Sequence, residues 1–284
     1  MCTQYVPTAR DEFHALRLGV AQLPHGEWPP EVFPGYQAPI LVRANAWHAA
    51  NDGPTQTHFA VSGGVVADTL ASSTPVCELA QFGLVPRWSR DAAQAQNIAK
   101  GAYNARSETV AGKPSFRTPW RAQHWALVPM QQYYDPNWED AAHNGGRCTR
   151  WRVAMASGES FTCAGLWERW HDPATQTTIG SFTLLTVNAD GHPLSGRLHR
   201  PGDEKRMPVV IAAYDRLAWL NASPAQAYLL LRTTPADLLV GGPAPVPLRK
   251  APAAALAELT NGARHTAGKT ALATTALQQN YSLF

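Results

Sequence analysis

Cys2 carries more chemistry through its position than any other side chain in this sequence. Once Met1 is trimmed, its α-amine and thiol lie on adjacent carbons and form a 1,2-aminothiol. Such a pair condenses with an aldehyde: the amine makes an imine, the thiol adds to the same carbon, and a five-membered thiazolidine closes. An α-amine titrates at about 7.7–8.0 and a free thiol at about 8.5, so both are within reach of neutrality. A cysteine elsewhere in a chain has no free amine and cannot follow this route. Cys77, Cys148 and Cys163 are widely spread, with no CxxC and no Cys/His ligand spacing, which argues against zinc and gives no reason to expect any metal or cofactor.

Several other clusters have the makings of a site. In Asn104-Ala105-Arg106-Ser107-Glu108-Thr109, Asn104 and Arg106 are two apart and share one side of an extended segment. Arg106 offers a planar fork for phosphate and Asn104 both donates and accepts; the competing reading is a polar surface turn with an ion pair. Gly83-Leu84-Val85-Pro86-Arg87-Trp88 sets a cation beside an aromatic, which suits a nucleotide or, equally, a core tryptophan under a snorkelling arginine. Lys113-Pro114-Ser115-Phe116-Arg117 repeats that interleaving. Asp135, in Tyr133-Tyr134-Asp135-Pro136, is either a proton carrier or a turn cap. His199 is a candidate for acid–base work by its residue type, one of ten histidines in the chain.

The elements that must position these residues are mostly strands. Short β-branched or aromatic runs bounded by Gly, Pro or polar residues predict strands at 40–43, 58–66, 79–85, 125–128, 151–156, 161–166, 182–187 and 208–212. Thr8 and Asp11 resemble a capping pattern before Phe13, Leu16 and Val20 at helical spacing, predicting a short helix over 9–18. Residues 22–39 read as a loop, and 215–220 and 224–231 as helices, the second opened by Ser223-Pro224-Ala225-Gln226. No βαβ alternation appears. The expected fold is therefore α+β, mainly antiparallel strands in a barrel-like single domain over 1–242 with a few peripheral helices. From 243 to 284 Pro, Ala, Thr and Asn dominate, predicting a low-complexity tail with one weak helix near 252–259.

Composition narrows the class further. The chain has 284 residues, 45% of them hydrophobic, enough for a sizeable core. A net charge of +3 and ten Trp permit a nucleic-acid partner without demanding one. The N-terminus has no basic-then-apolar signal pattern, and no run of 18 apolar residues suits a membrane span. The expectation is a cytoplasmic monomer with reduced thiols, without membrane contact.

Taken in order, the motifs resemble the SOS-response-associated peptidase family, whose members crosslink to abasic sites in single-stranded DNA. The matching pieces are Met1-Cys2, GLVPRW at 83–88, NARSET at 104–109, KPSFR at 113–117, LVP with YYDP at 127–136, CAGLW at 163–167, LLTVNAD at 184–190 and LHRPGDEKRMPVVI at 198–211, over roughly residues 1–235. The resemblance implies self-processing at Met1 by a peptidase activity, then a thiazolidine crosslink and lyase-like chemistry in DNA repair at the nucleoid. It implies Cys2 as nucleophile, Asn104 holding the N-terminus and the opened sugar, Arg106 as phosphate clamp, His199 as catalytic histidine and Thr186 lining the pocket. Pro34, Trp88, Phe116 and Arg117 resemble a DNA-contacting wall.

Two residues depart from the family pattern. Asp135 stands where glutamate is usual, which sets the carboxylate back by about 1.5 Å. Arg87 replaces an aromatic before Trp88, trading stacking for phosphate attraction. Two other function classes compete: an N-terminal-nucleophile amidohydrolase or peptidase, and a non-covalent single-strand binder. Separately, Gln279-Asn280-Tyr281-Ser282-Leu283-Phe284 resembles the short peptides that dock on the bacterial sliding clamp.

Overall fold

A computed structural model of the chain describes residues 2–20, 22–49 and 75–244. The strands are β1 (Gln4–Pro7), β2 (Gln37–Arg43), β3 (Pro75–Phe82), β4 (Asn104–Arg106), β5 (Trp125–Asn137), β6 (Thr149–Met155), β7 (Phe161–His171), β8 (Thr178–Asn188), β9 (Arg206–Pro208), β10 (Val210–Ile211) and β11 (Leu239–Pro243). The α-helices are short: α1 (Ala44–Ala49), α2 (Ala92–Ala99), α3 (Arg117–Arg121), α4 (Arg216–Leu220) and α5 (Pro224–Leu230). Among the described residues no helix is long and apolar enough to cross a membrane. The expected strand at 58–66, the weak helix near 252–259 and the clamp-like C-terminus lie outside the described residues.

Five strands close a barrel in the order β7-β8-β3-β2-β5, sealed by β5 pairing back on β7. Pairing is mainly antiparallel, as expected; β8 departs from it by running parallel to β3 and β4. β5 is far longer than its alternating apolar run. Its first half, Trp125 to Met130, pairs with β7 in the barrel, and its second half carries β1 on one edge and β6 on the other. The change of partner falls beside Pro129, which lacks an N–H, and opposite a bulge at Val6/Pro7. This extension carries Asp135 beyond the barrel wall.

Packing rather than capping decides the local structure. Residues 10–16 form a 3-10 helix that buries Phe13 and Leu16, yet its cap is Ala9, with no side-chain bond. Thr8 is itself buried, so the capping pattern read from Thr8 and Asp11 is not used. Truncating a buried aromatic costs about 3–5 kcal/mol and a lost cap about 1, which explains which signal wins. The cap of α5 is built as the sequence predicts: Ser223 and Gln226 make a capping box with Pro224 in the first turn. Trp120, Trp125, Trp167, Trp170 and Trp219 are fully buried, so tryptophan serves the core first; Trp88 is the exposed exception at 44%.

Two motif glycines are explained by space. A Cβ on Gly165, in CAGLW, would meet the Thr183 carbonyl oxygen at 2.7 Å. Gly83 opens GLVPRW at φ +114, and a Cβ there would meet the Ala99 carbonyl oxygen at 2.7 Å.

Candidate active site and nucleic-acid interface

β1 delivers Cys2 to the outer half of β5, because Gln4 pairs with Tyr134 and Tyr5 with Tyr133. Cys2 is completely buried, and its thiol donates to the Gln4 carbonyl at 3.5 Å. Burial pushes the thiol well above its usual range, and the negative charge of Asp135 adds to the effect. The thiol is therefore protonated at neutral pH and needs help to react.

Asn104 approaches from β4, which runs beside β8 with Asn104 opposite Leu184 and Arg106 opposite Thr186. Its Nδ2 donates to the Cys2 carbonyl at 2.8 Å. Its Oδ1 is buried and has no hydrogen-bond partner among the described residues, leaving an acceptor directed into the site.

Asp135 and His199 complete the group. The His199 backbone N–H donates to the Pro136 carbonyl at 2.6 Å, and Leu198 bridges to Asn137, so the loop before β9 is stitched to the end of β5. His199 Nε2 then lies 3.4 Å from Asp135 Oδ1, with both side chains buried. That separation is an ion-pair contact, slightly longer than an ordinary hydrogen bond. Burial opposes the charge on Asp135, but the positive N-terminus and His199 outweigh it and hold the carboxyl below its usual range. His199 adopts φ 66, the left-handed region that a non-glycine residue occupies only when its surroundings impose it.

The wall residues gather around the end of β3. Gly35, next to Pro34, donates to the Phe82 carbonyl at 2.6 Å, and Leu84 donates to the Ala102 carbonyl, two residues before Asn104, at 3.1 Å. Pro34 is half-buried on that loop. The exposed Trp88 donates through its indole N–H to the Pro114 carbonyl at 3.2 Å, joining GLVPRW to KPSFR, and Arg117 is exposed at the start of α3.

Three residues sit differently from the expected DNA-facing set. Phe116 is 8% exposed and packs in the hydrophobic core, so its ring supports the wall from behind and offers no stacking face. Arg87 grips the buried Glu168 through two bonds, at 3.0 and 2.6 Å, so its charge is already matched by a carboxylate. Thr186 is fully buried and its hydroxyl accepts from Arg206 Nε at 3.3 Å, away from open space.

The sequence reading missed the charge network behind the site. Arg206, 1% exposed, donates to both Glu108 oxygens, at 3.1 and 2.9 Å, and to the Thr186 carbonyl at 2.6 Å. The signal was the Arg-Met-Pro in the last quoted motif, which reads as part of a charged loop until β9 pairs with β8. Among the described residues no group of three or more His, Cys, Asp or Glu is arranged to hold a metal ion.

A five-strand barrel that buries a second-position cysteine beside an Asn, an Asp and a His defines the class. Residues 1–243 match the SOS response associated peptidase (SRAP) family, and the chain belongs to it. The chain is 28% identical over 141 residues to the abasic site processing protein YoqW of Bacillus subtilis, covering 50% of this chain and 55% of that one. It is 28% identical over 160 residues to the abasic site processing protein YoaM of the same organism, covering 55% and 63%. The chain thus spans under two thirds of the length of these curated relatives. A crystal structure from Bordetella bronchiseptica, 26% identical, superposes with a TM-score of 0.68 over 86% of this chain and 100% of its own. One from Bacteroides thetaiotaomicron, 21% identical, shares the fold with a TM-score of 0.63 over 84% and 90%.

Proposed function

We propose that this protein processes abasic sites in single-stranded DNA by forming a thiazolidine crosslink through Cys2 after removal of Met1. The observation that carries the reading is the Cys2 backbone clamped by Asn104 beside the Asp135–His199 pair. The family and the printed names of the relatives point the same way.

The raised thiol sets the order of steps. Cleavage of the Met1–Cys2 bond frees the α-amine, and with the thiol held protonated by burial the amine attacks first, at C1′ of the ring-opened sugar. The tetrahedral adduct loses the aldehyde oxygen as one water and becomes an imine. The thiol proton then passes to the Asp135–His199 pair, sulfur adds to the imine carbon, and the nitrogen takes a proton back. The product is protein plus DNA less one water. Asn104 Oδ1 is suited to accept from the freed amine, and Arg106, Trp88 and Arg117 are suited to hold phosphates and a base on either side of the lesion. A thiol-first attack on an amide, as the amidohydrolase reading requires, is disfavoured by the same burial that raises the thiol.

The test is a denaturing gel of abasic against intact oligonucleotide, with intact mass. The expected result is an adduct with the abasic strand alone, absent for Cys2→Ala; an adduct of full intensity with Cys2→Ala, or on protein retaining Met1, would overturn the assignment. We also propose that Gln279–Phe284 docks on the sliding clamp. Fluorescence anisotropy of a 275–284 peptide tests it, and no binding at high micromolar clamp would end the idea.

A further inference from the structure

The loop from His199 to Lys205 ties the imidazole to β9, and one of its side chains faces the opposite way. Lys205 Nζ donates to the carbonyls of His199 and Arg200, at 3.2 and 2.9 Å, and closes the loop on itself. The next residue back, Glu204, divides its carboxylate between two arginines. Oε1 lies 2.6 Å from Nη1 of the buried Arg206, and Oε2 lies 2.8 Å from Nη1 of Arg106. The Arg106 side chain is 52% exposed and that of Glu204 33%, so this contact sits at the rim. Glu204 is not free to swing away, because Arg206 anchors it and Arg206 is itself held by Glu108 and Thr186.

We infer that Glu204 is a specificity-determining residue: it holds Arg106 as an internal anion, which a DNA phosphate must share or displace. The inference rests on the DNA-processing reading above and adds to it how ordinary single strands are disfavoured. A half-exposed ion pair is weak, so phosphate can compete for Arg106. The carboxylate stays nearby, however, and repels the incoming phosphate. One unit charge at about 5–6 Å, at the dielectric of about 40–80 that suits a water-washed rim, corresponds to about a three- to tenfold loss of affinity. Every single strand pays that penalty, whereas only an abasic strand recovers it by bonding to Cys2. Discrimination then comes from chemistry at the aldehyde and not from backbone contacts.

The experiment measures binding of intact and abasic single-stranded oligonucleotides by anisotropy, and adduct by denaturing gel, for wild type, Glu204→Gln, Arg106→Ala and the double variant. Glu204→Gln keeps an oxygen for Arg206 and removes the charge. The expected result is about a three- to tenfold gain in affinity for the intact strand, lost in the Arg106→Ala background. Should Glu204→Gln melt early, Glu204→Asp withdraws the charge from Arg106 by one methylene and is expected to give a smaller gain of the same sign. Wild type that crosslinks while Glu204→Gln binds the intact strand no better, or gains equally without Arg106, overturns this inference alone. Wild type that neither binds nor crosslinks removes the function reading and this inference with it.

Discussion

At the scale of single residues the site is a problem in moving one proton off a buried thiol. Asp135 is held below its usual range by positive neighbours and stays ionised through neutral and weakly acidic pH. The crosslinking rate should therefore not track the protonation of Asp135 above about pH 5, which a pH–rate profile checks. Asp135→Asn keeps the shape and removes the charge, and is expected to slow adduct formation about 100-fold, within the span of general acid–base effects. A single-turnover time course on an abasic oligonucleotide checks this; a rate within twofold of wild type would take Asp135 out of the proton path. Cys2 was marked by its position, and Asn104 and His199 by the motifs that resemble the family; the structure brings the three together at the end of β5. The partners of Arg206 were not legible. Glu204 is only two residues from Arg206, but Glu108 is far off in sequence, and the pairing of β9 with β8, and of β8 with β4, brings it to the same guanidinium.

At the scale of elements, β7 shows how a strand braces the GLVPRW loop. It buries Glu168 completely, against Arg87 from GLVPRW and with His124 Nδ1 at 3.5 Å. Burial opposes the Glu168 charge, but His124 and Arg87 outweigh it and lower its pKa. A depressed carboxylate contributes stability above its unfolded value of about 4.3 and loses it as pH falls through the folded one. Glu168→Gln should therefore cost about 1–2 kcal/mol at pH 7, a modest figure because Arg87 is half in water. Urea unfolding at pH 7 and at pH 3.5 should show the gap shrink in acid; an equal gap at both would mean that shape, and not charge, matters at this site. The sequence made Arg87 a phosphate ligand because Glu168 sits inside an apolar run that gives no hint of its partner. The same limit hid the length of β5: Pro129 and two glutamines interrupt its alternation, and only the change of partners from β7 to β1 and β6 accommodates them. By contrast, the barrel class was legible from many short strands without βαβ order.

At the scale of the whole molecule, a net charge of +3 hides an uneven surface. Arg87, Arg106, Arg197 and Arg232 are each matched by an acid. Lys113, next to the Pro114 that accepts from Trp88, and Arg117 and Arg121 on α3 are exposed and have no ion pair among the described residues. These three cations should dominate the electrostatics of single-strand binding. Three phosphate contacts correspond to a slope of about −2 in log affinity against log salt, and Arg117→Ala should make it shallower by about 0.7. Anisotropy titrations of an intact oligonucleotide across salt check this; an unchanged slope would move the DNA path away from α3. The sequence marked this region through its basic–aromatic interleaving, but it could not say which arginines were already neutralised.

The complete burial of Cys2 has one more consequence, for the lifetime of the reagent it represents. An exposed 1,2-aminothiol would react with small carbonyl compounds and oxidants as well as with a lesion. On the proposed function, burial of Cys2 beside the outer half of β5 keeps the reagent out of solution until local opening admits a partner, large or small. Bulky maleimides should label native Cys2 at least about 100-fold more slowly than in urea, because access waits on local opening. Peptide mapping after a timed pulse would reveal it, and equal labelling in both states would show that the enclosure protects nothing.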